Sequence, residues 1–297
     1  MIIAKLMGGL GNQMFQYAAA RRLANANNAE LKLDISFLES AQKGYIARVY
    51  ELGSLNITAA IASSREVAEF TGRGKSHSEN LLRFFLRSIG LNKQRATVYK
   101  ELHFHFDPQV LHLPDDTYLE GYWQSEKYFK DIGEIIRKEF TVKYPLEGKN
   151  LELSEMLAGS DSVGIHIRRG DYVTDQKTRR VHGACGLDYY YTCVEEASKA
   201  IERPRFFIFS DEPAWVKENF SIPFSTTFVE HNPPDKGYED LRLMGLCKHQ
   251  IIANSSFSWW AAWLNRNPHK RIFAPKTWLQ DRRHDTKDVI PDTWLKI

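Results

Sequence analysis

The chain has 297 residues, of which 43% are hydrophobic and 26% are charged, and its formal net charge is +3. This length allows two domains of ordinary size, and the composition is that of a folded globular protein rather than a disordered or fibrous one. The small net charge, with no Lys/Arg block, argues against a nucleic-acid partner and is compatible with a locally basic site for an anionic small molecule.

The cysteines and the hydropathy of the sequence predict the cellular compartment of the protein. Cys185, Cys193 and Cys247 are odd in number and form no CxxC pair, so we predict buried thiols in a reducing compartment. The sequence shows neither a signal-peptide-like apolar segment nor an apolar run of about 18 residues. We therefore expect a cytoplasmic enzyme with no integral membrane segment, which could lie peripherally at the inner face of the membrane.

The amino-terminal half is predicted to be an α/β domain. An apolar strand at 1–6 leads into a glycine-rich turn at 8–12 and a helix at 13–27, whose apolar residues recur at helical spacing. A strand at 31–34 follows directly. The remaining predicted elements are helices near 64–70 and 80–91, strands at 97–103 and 117–122, and a helix at 126–139. Residues 36–95 contain no recognisable motif.

The carboxyl-terminal half alternates strands with helices. The predicted strands are at 162–168, 205–209, 226–229, 250–253 and 271–274, and the helices are near 187–200, 213–219, 238–248 and 256–266. Strands separated by helices of this length form right-handed βαβ units and a parallel sheet. We predict an α/β fold of two Rossmann-like domains, 1–150 and 151–297. Roughly the last 20 residues could pack against the first domain.

The segment His166-Ile167-Arg168-Arg169-Gly170-Asp171-Tyr172 carries the strongest functional signal. Its apolar alternation places Arg168 near the carboxyl end of a strand, the edge at which open α/β sheets bind ligands. A guanidinium held there suits a diphosphate, because its planar fork donates two parallel charge-assisted hydrogen bonds. The alternative is a surface pair of arginines balanced by Asp171.

Two further segments of this half could contact an anionic ligand. Asn254-Ser255-Ser256-Phe257 follows a predicted strand and begins a helix, whose N–H groups and hydroxyls could bind an anion or serve only as caps. Glu239-Asp240 begins the preceding helix. One of these carboxylates could accept a hydrogen bond from a guanine or ribose edge, although helix capping explains them equally well.

The segment Gly8-Gly9-Leu10-Gly11-Asn12-Gln13-Met14 stands where a dinucleotide-binding turn would be, and Asp34 lies where an acid would contact a ribose. A nicotinamide-dependent oxidoreductase on a Rossmann fold is therefore the main alternative function. Its fingerprint requires a third Gly or Ala, whereas this chain has Met14. The amides of Asn12 and Gln13 suit hydroxyl or phosphate contacts better than helix packing.

A metal site is a weaker alternative. His103, His105 and Asp107 could share one strand face and bind a metal ion. However, the chain lacks the D-x-D pair that holds Mn²⁺ or Mg²⁺ between phosphates in many sugar-nucleotide enzymes. We expect no metal and no cofactor.

Together these motifs resemble the bacterial α-1,2-fucosyltransferases of glycosyltransferase family 11. They occur over most of the chain in the family's order. The matching segments are 8–18, 121–125, 166–172, 209–211, 239–241 and 254–260.

The resemblance implies a GT-B architecture, in which two Rossmann-like domains face a cleft. It implies inverting, metal-independent transfer of fucose from GDP-β-L-fucose to the 2-hydroxyl of a terminal β-galactoside, which could be a lipid-linked glycan. The carboxyl-terminal domain would bind GDP-fucose, and the amino-terminal domain would serve the acceptor. A non-catalytic glycan-binding or nucleotide-binding protein is the other alternative.

The resemblance also suggests residue roles. Arg168 would contact the diphosphate, with Arg169 holding the loop or adding a second contact. Asp171 is the suggested base by proximity, with Asp34, Asp175 and Glu126 left open, and Asn12 is the third suggested catalytic residue. The donor-binding residues would be His166, Arg168, Arg169, Asp211, Glu239, Asp240, Asn254, Ser255, Ser256 and Phe257. The acceptor or sugar side would comprise Gly9, Gly11, Asn12, Gln13, Tyr122, Trp123 and Gln124.

Overall fold

The computed structural model describes residues 1–40, 47–72 and 96–297, so the helix predicted near 80–91 lies outside the described residues. The chain divides into two compact units, Met1–Phe140 and Thr141–Ile297. This division comes before the predicted boundary at 150, because the helix Gly148–Ala158 contacts the helix Gly237–Leu246 within the second unit.

The first unit contains a parallel sheet. Its described strands are β1 (Ile2–Lys5), β2 (Leu31–Asp34), β3 (Ala60–Ile61), β4 (Thr97–Lys100) and β5 (Thr117–Glu120). They lie in the order β3-β2-β1-β5-β4, and each neighbouring pair is parallel. The central strand β1 is buried along its whole length, as its apolar sequence predicts for a sheet covered on both faces.

The helices of the first unit connect these strands. The described ones are α1 (Leu10–Ala26), α2 (Ser36–Glu39), α3 (Ser64–Thr71) and α4 (Gly133–Glu139), with 3-10 turns at Leu52–Ser54, Pro108–His112, Glu126–Tyr128 and Lys130–Ile132. The continuous helix predicted at 126–139 is wrong in its first half. Phe129 has a φ of −147° and a ψ of 4°, which lie outside the helical region, and its buried ring lies 6.2 Å from that of Phe15, so core packing interrupts the helix there.

The second unit contains a larger parallel sheet. Its described strands are β6 (Asp161–Ile167), β7 (Pro204–Ser210), β8 (Thr226–Val229), β9 (His249–Ile251), β10 (Ile272–Ala274) and β11 (Leu295–Lys296). They lie in the order β11-β10-β9-β6-β7-β8. Strand β6 pairs with both β7 and β9, and Ile167 lies opposite Ser210. The residues that follow these three strands therefore reach the same edge of the sheet.

Helices alternate with these strands, as the sequence predicts. The described ones are α5 (Gly148–Ala158), α6 (Gly170–Thr174), α7 (Gln176–Val181), α8 (Leu187–Ala200), α9 (Pro213–Asn219), α10 (Gly237–Leu246) and α11 (Ser256–Leu264), with a 3-10 turn at Pro234–Lys236. The end of the chain packs in the second unit, where β11 pairs with β10 and the Trp294 ring lies 5.5 Å from Trp259.

Two sequence-based expectations concern the chain as a whole. Cys193 and Cys247 are buried free thiols, as predicted, whereas Cys185 is only partly buried. Among the described residues, no helix combines the length and apolar character needed to cross a membrane.

Candidate functional site

Arg168 follows the last residue of β6 and is held by two carboxylates. Its guanidinium pairs with Asp171, and its Nη1 lies 2.9 Å from Asp211 Oδ2. The guanidinium carbon also lies 5.4 Å from the centre of the Tyr172 ring. Although burial opposes the charge, the two carboxylates raise the pKa of Arg168 above its ordinary value. A permanently charged and oriented guanidinium thus stands at the carboxyl edge of the sheet.

Asp211 also fixes the backbone after Arg168. Its Oδ1 accepts the Arg169 N–H at 3.0 Å. A Cβ at Gly170 would lie only 2.3 Å from Asp211 Oδ2, so this close approach requires glycine. We therefore assign Asp211 to the support of the arginine loop, a role different from the donor contact that the sequence predicts.

Arg169 points to a different set of groups. Its Nε donates to Glu212 Oε2 at 2.9 Å, and its guanidinium carbon lies 3.3 Å from the centre of the Trp215 ring. These contacts combine a charge-assisted hydrogen bond with a cation–π interaction. Of the two roles suggested for Arg169, they favour holding the loop.

The four acids considered as bases have distinct environments. Asp171 is the partner of Arg168, which is the ion pair that the sequence left open. Asp34 is buried, and its two carboxylate oxygens accept from the Tyr118 hydroxyl at 2.6 Å and the Ser36 N–H at 2.9 Å. Asp175 caps α7 by accepting the Thr178 N–H at 2.7 Å. Glu126 lies in the first turn of a 3-10 helix.

His166 presents an unused nitrogen beside the arginine loop. The side chain is 4% exposed, and its Nδ1 has no hydrogen-bond partner within the described part of the chain. Burial, aided by the charge of Arg168, lowers the pKa of His166 to about 3, so the ring is neutral. Its centre lies 5.5 Å from that of Phe257, and a Cβ at Gly237 would lie 3.9 Å from the Phe257 ring. The amino ends of α10 and α11 therefore meet beside β6.

The residues at the start of α11 include some groups that are bonded within the protein and others that can bind a ligand. Asn254 is buried, and its Nδ2 donates to the carbonyls of His182, Gly183 and Trp278 at 3.0, 2.8 and 3.2 Å. This side-chain amide therefore holds backbone segments together. Of Asn254, only the backbone remains to make the predicted contact with the donor. Ser255 is the N-cap residue of α11 but makes no side-chain cap bond. The first N–H groups of α11 and the hydroxyls of Ser255 and Ser256 remain suited to an anion.

Glu239 and Asp240 begin α10 with different partners. Glu239 is buried and pairs with Arg242. Asp240 accepts from Asn232 Nδ2 at 2.7 Å, and burial raises the pKa of Asp240 to about 6. Because no cationic side chain within the described residues pairs with Asp240, it is the better of the two for accepting a hydrogen bond from a ligand.

In the first unit, the glycine-rich turn presents Asn12. Gly8 has a φ of +75°, and a Cβ there would lie 2.5 Å from Asn12 Nδ2. Asn12 Oδ1 accepts from Gln124 Nε2 at 2.9 Å. The structure thus brings together residues of two sequence motifs, and Asn12 is partly exposed.

Several residues predicted for the acceptor side are core residues instead. Gln13 is fully buried: its Nε2 donates to the carbonyls of Gly8 and Val49, and its Oε1 accepts the Glu51 N–H. Gly11 is buried inside α1, and the Trp123 side chain is only 1% exposed. A buried amide that satisfies its own hydrogen bonds cannot contact a ligand. Gly9, Asn12 and Tyr122 remain partly exposed.

The sequence motifs do not include two carboxylates that support the backbone of the first unit, Glu101 and Glu51. Glu101 accepts the N–H groups of Tyr122 and Trp123 at 2.7 and 2.9 Å and so supports the unusual φ of +56° at Trp123. Burial raises the pKa of Glu101 to about 7. Glu51 accepts the N–H of Leu10, at the start of α1. Neither belongs to a motif, and only the position of Glu101 at a strand end could have suggested it.

The glycine-rich turn does not fit a nicotinamide nucleotide. A pyrophosphate would need the free N–H groups at the start of α1, where Glu51 already supplies a carboxylate. The ribose-binding acid of that fingerprint would be Asp34, which is buried and uses both carboxylate oxygens within the protein. The anion position and the ribose position are thus filled by the chain itself.

The metal alternative gains no support. The rings of His103 and His105 lie 3.9 Å apart, while Asp107 caps a 3-10 helix and accepts from the Tyr99 hydroxyl. Across residues 1–40, 47–72 and 96–297, no three His, Cys, Asp or Glu side chains are grouped as metal ligands.

Comparison with known proteins identifies the family. The model of glycosyl transferase family 11 matches residues 1–297. The chain belongs to glycosyltransferase family 11. This assignment confirms the predicted enzyme class and sets aside the oxidoreductase and the non-catalytic binding protein.

The relatives found include bacterial and animal enzymes. The chain is 32% identical to an α-1,2-colitosyltransferase of Escherichia coli, covering 100% of this chain and 98% of the relative. It is 27% identical to the O-antigen biosynthesis glycosyltransferase WbnK of Escherichia coli, covering 98% and 99%. It is 27% identical to human galactoside α-(1,2)-fucosyltransferase 1, covering 86% of this chain and 63% of that protein.

Solved structures confirm the predicted GT-B-like fold. NodZ α-1,6-fucosyltransferase co-crystallised with GDP matches with a TM-score of 0.50 at 14% identity, covering 88% of this chain and 90% of NodZ. A mutant of Arabidopsis thaliana FUT1 in complex with GDP matches with a TM-score of 0.51 at 12% identity, covering 93% and 71%.

Proposed function

We propose that this glycosyltransferase transfers L-fucose from GDP-β-L-fucose to the 2-hydroxyl of a terminal β-galactoside, with inversion to an α-1,2 linkage. The observation that carries the proposal is the guanidinium of Arg168, oriented by Asp171 and Asp211 at the carboxyl edge of the second sheet. The relatives named for α-1,2 colitose transfer and galactoside α-(1,2) fucose transfer support the sugar class and the linkage.

The donor site would comprise the arginine loop and the starts of α10 and α11. In inverting transfer the sugar becomes oxocarbenium-like while negative charge builds on the departing diphosphate. Arg168 and the N–H groups of Ser255 and Ser256 would stabilise that charge, and the unused Nδ1 of His166 would add a contact. Fixed donors of this kind each contribute about 10²–10³ in rate. Asp240 is our choice for a contact with the guanine or ribose.

We propose that the transfer needs no divalent metal. Arg168 carries the charge that a metal ion would otherwise supply to the diphosphate. The enzyme would act in the cytoplasm, with a free or lipid-linked galactoside as acceptor.

The acceptor side would be built on the glycine-rich turn. Asn12 Nδ2 can donate to a sugar oxygen, because Gln124 already occupies Asn12 Oδ1. In this proposal Asn12 serves transfer and not nucleotide affinity.

Colitose is the second donor sugar to consider, because the relative at 32% identity is a colitosyltransferase. Colitose lacks the 3-hydroxyl of fucose. A site that hydrogen-bonds this hydroxyl would reject GDP-colitose by up to about 10⁴–10⁵, whereas an apolar site would discriminate far less. The ratio of kcat/KM for the two donors therefore decides between them.

The deciding experiment measures GDP release from GDP-fucose and GDP-colitose against a panel of β-galactosides, with β-glucosides as controls. We expect acceptor-dependent GDP release with β-galactosides and an α-1,2 linkage by NMR of the product. Turnover of GDP-colitose alone would transfer the proposal to that donor. A product linked at another hydroxyl, or no galactoside-dependent release with either donor, would contradict it.

A further inference from the structure

Glu51 is held directly over the glycine-rich turn of the first unit. Its carboxylate accepts the N–H of Leu10, and a Cβ at Gly9 would lie 3.6 Å from Glu51 Oε2. The side chain is partly exposed, so a ligand at this turn can reach it. Because residue 9 is glycine, it adds no side chain between the carboxylate and the turn.

A buried amide fixes this position. Gln13 Oε1 accepts the Glu51 N–H at 2.9 Å, while Gln13 Nε2 donates to the carbonyls of Val49 at 2.7 Å and Gly8 at 2.9 Å. One side chain therefore joins the segment of Glu51 to the turn that presents Asn12. Such orientation is what a proton acceptor needs, because it must lie within hydrogen-bond reach of the reacting hydroxyl.

The environment of Glu51 suits proton transfer. Burial raises the pKa of Glu51 above its ordinary value, although the Leu10 N–H and the charge of Arg48 oppose this shift. The first turn of α1, which faces the carboxylate, contains no acidic residue. Asp171, in contrast, is engaged with Arg168, and Asp34 is enclosed in the core.

We propose that Glu51 is the general base of the transfer reaction, a role that rests on the function proposed above. The acceptor hydroxyl oxygen forms a bond to C1 of the fucose and gives its proton to a Glu51 carboxylate oxygen. The bond between C1 and the diphosphate oxygen breaks, and its electron pair leaves with GDP. Asn12 Nδ2 would hold the sugar while the proton moves.

The test variant is Glu51→Gln, which keeps an oxygen to accept the Leu10 N–H but cannot take a proton. We expect kcat to fall by about 10²–10⁴, the usual contribution of a general base. Calorimetric GDP binding and the KM for GDP-fucose should stay within about twofold. Wild-type kcat should fall at low pH as Glu51 becomes protonated, and this decline should be absent from the residual activity of the variant.

The matched control is Glu139→Gln, in the same unit. Glu139 is buried and accepts from the Tyr17 hydroxyl at 2.7 Å and Arg21 Nε at 3.0 Å. Its substitution should lower the melting temperature with near wild-type kcat. A Glu51→Gln enzyme that is less stable but keeps wild-type kcat would show that Glu51 only caps α1 and would overturn the proposal.

All variants are compared with the wild type on the donor and acceptor pair that the wild type uses best. If the wild type transfers fucose or colitose to a galactoside while Glu51→Gln is equally fast, only the inference fails. If the wild type transfers neither sugar, the proposed function fails, and the role of Glu51 fails with it.

Discussion

Gln124 Nε2 donates a hydrogen bond of 2.9 Å to Asn12 Oδ1 across 112 residues of sequence. Gln124 is buried, whereas Asn12 is partly exposed. Because the bond occupies Asn12 Oδ1, Asn12 Nδ2 is the end of the amide that can donate to a ligand. The segments of Asn12 and Gln124, which the sequence predicts as separate acceptor contacts, thus form one unit, in which the buried glutamine orients the partly exposed asparagine.

The first prediction concerns this pair. Gln124→Glu is nearly isosteric but cannot donate to Asn12 Oδ1, so the Asn12 amide should flip and present its oxygen. We expect transfer to fall about fivefold, since a net hydrogen bond contributes about 1 kcal/mol, while GDP affinity measured by calorimetry is unchanged. Asn12→Ala should give the same pattern. The exposed Gln109→Glu serves as the control, and equal loss of GDP affinity in Gln124→Glu would contradict the interpretation.

The second prediction concerns the arginine loop. Arg168→Lys keeps the charge but loses the planar fork, so we expect kcat/KM to fall by about 10²–10³, with weaker GDP binding. Arg168→Ala should be at least as severe. Arg205→Lys is a suitable control, because Arg205 lies at the amino end of the adjacent strand β7. Near wild-type turnover in Arg168→Lys would show that another residue makes the diphosphate contact.

The third prediction uses the glycine of the same loop. In Gly170→Ala the new methyl would meet Asp211 Oδ2, which would have to move and release Arg168. We expect a loss of about 1–3 kcal/mol in stability, as for other overpacked sites, together with weaker GDP binding. Gly186→Ala is the matched control, because a Cβ there meets nothing within 4 Å. Identical GDP affinity in the two variants would show that Asp211 does not position Arg168.

The fourth prediction concerns pH. Burial raises the pKa of Glu101 to about 7 in the folded protein. The folded state therefore binds the Glu101 proton more tightly than the unfolded state does. The contribution of protonated Glu101 to stability is complete below about pH 4.5 and is lost as the pH rises through about 7. Urea unfolding of the wild type and Glu101→Gln at pH 5 and pH 8 checks this. The stability of the wild type relative to the variant should decrease at pH 8, and a constant difference would contradict the assignment.

The fifth prediction is that transfer survives removal of divalent ions. Activity should persist in EDTA, with no more than a small gain when Mg²⁺ or Mn²⁺ is added, because in the proposed function Arg168 supplies the positive charge beside the diphosphate. Strict dependence on an added metal ion would overturn this part of the proposed function. The histidines at 103 and 105 would then be the first residues to replace.

The sequence predicted features whose cause is local. The alternation before Arg168 placed it at the carboxyl edge of a parallel sheet, because side chains in a strand alternate between faces. Motif residues alone did not reveal which amides are buried. Gln13 and Asn12 are adjacent and chemically alike, yet helix α1 turns one into the core and leaves the other partly exposed.

The missed residues depend on contacts between distant segments. Glu51 reaches Leu10 because Gln13 draws the segment at 49–51 to the turn, and no spacing rule contains that information. Phe129 interrupts a helix-like pattern because its ring fits beside Phe15, so tertiary packing overrides local propensity. Both cases required the fold before they could be explained.

The side-chain amide of Asn254 donates to the carbonyls of His182, Gly183 and Trp278, and the Asn254 backbone carbonyl accepts from the Tyr172 hydroxyl at 3.3 Å. The three acceptors are backbone atoms, so this support does not depend on the side chains that segments 182–183 and 278 carry. Substitution of the side chains in these segments should therefore leave the backbone beside the arginine loop in place.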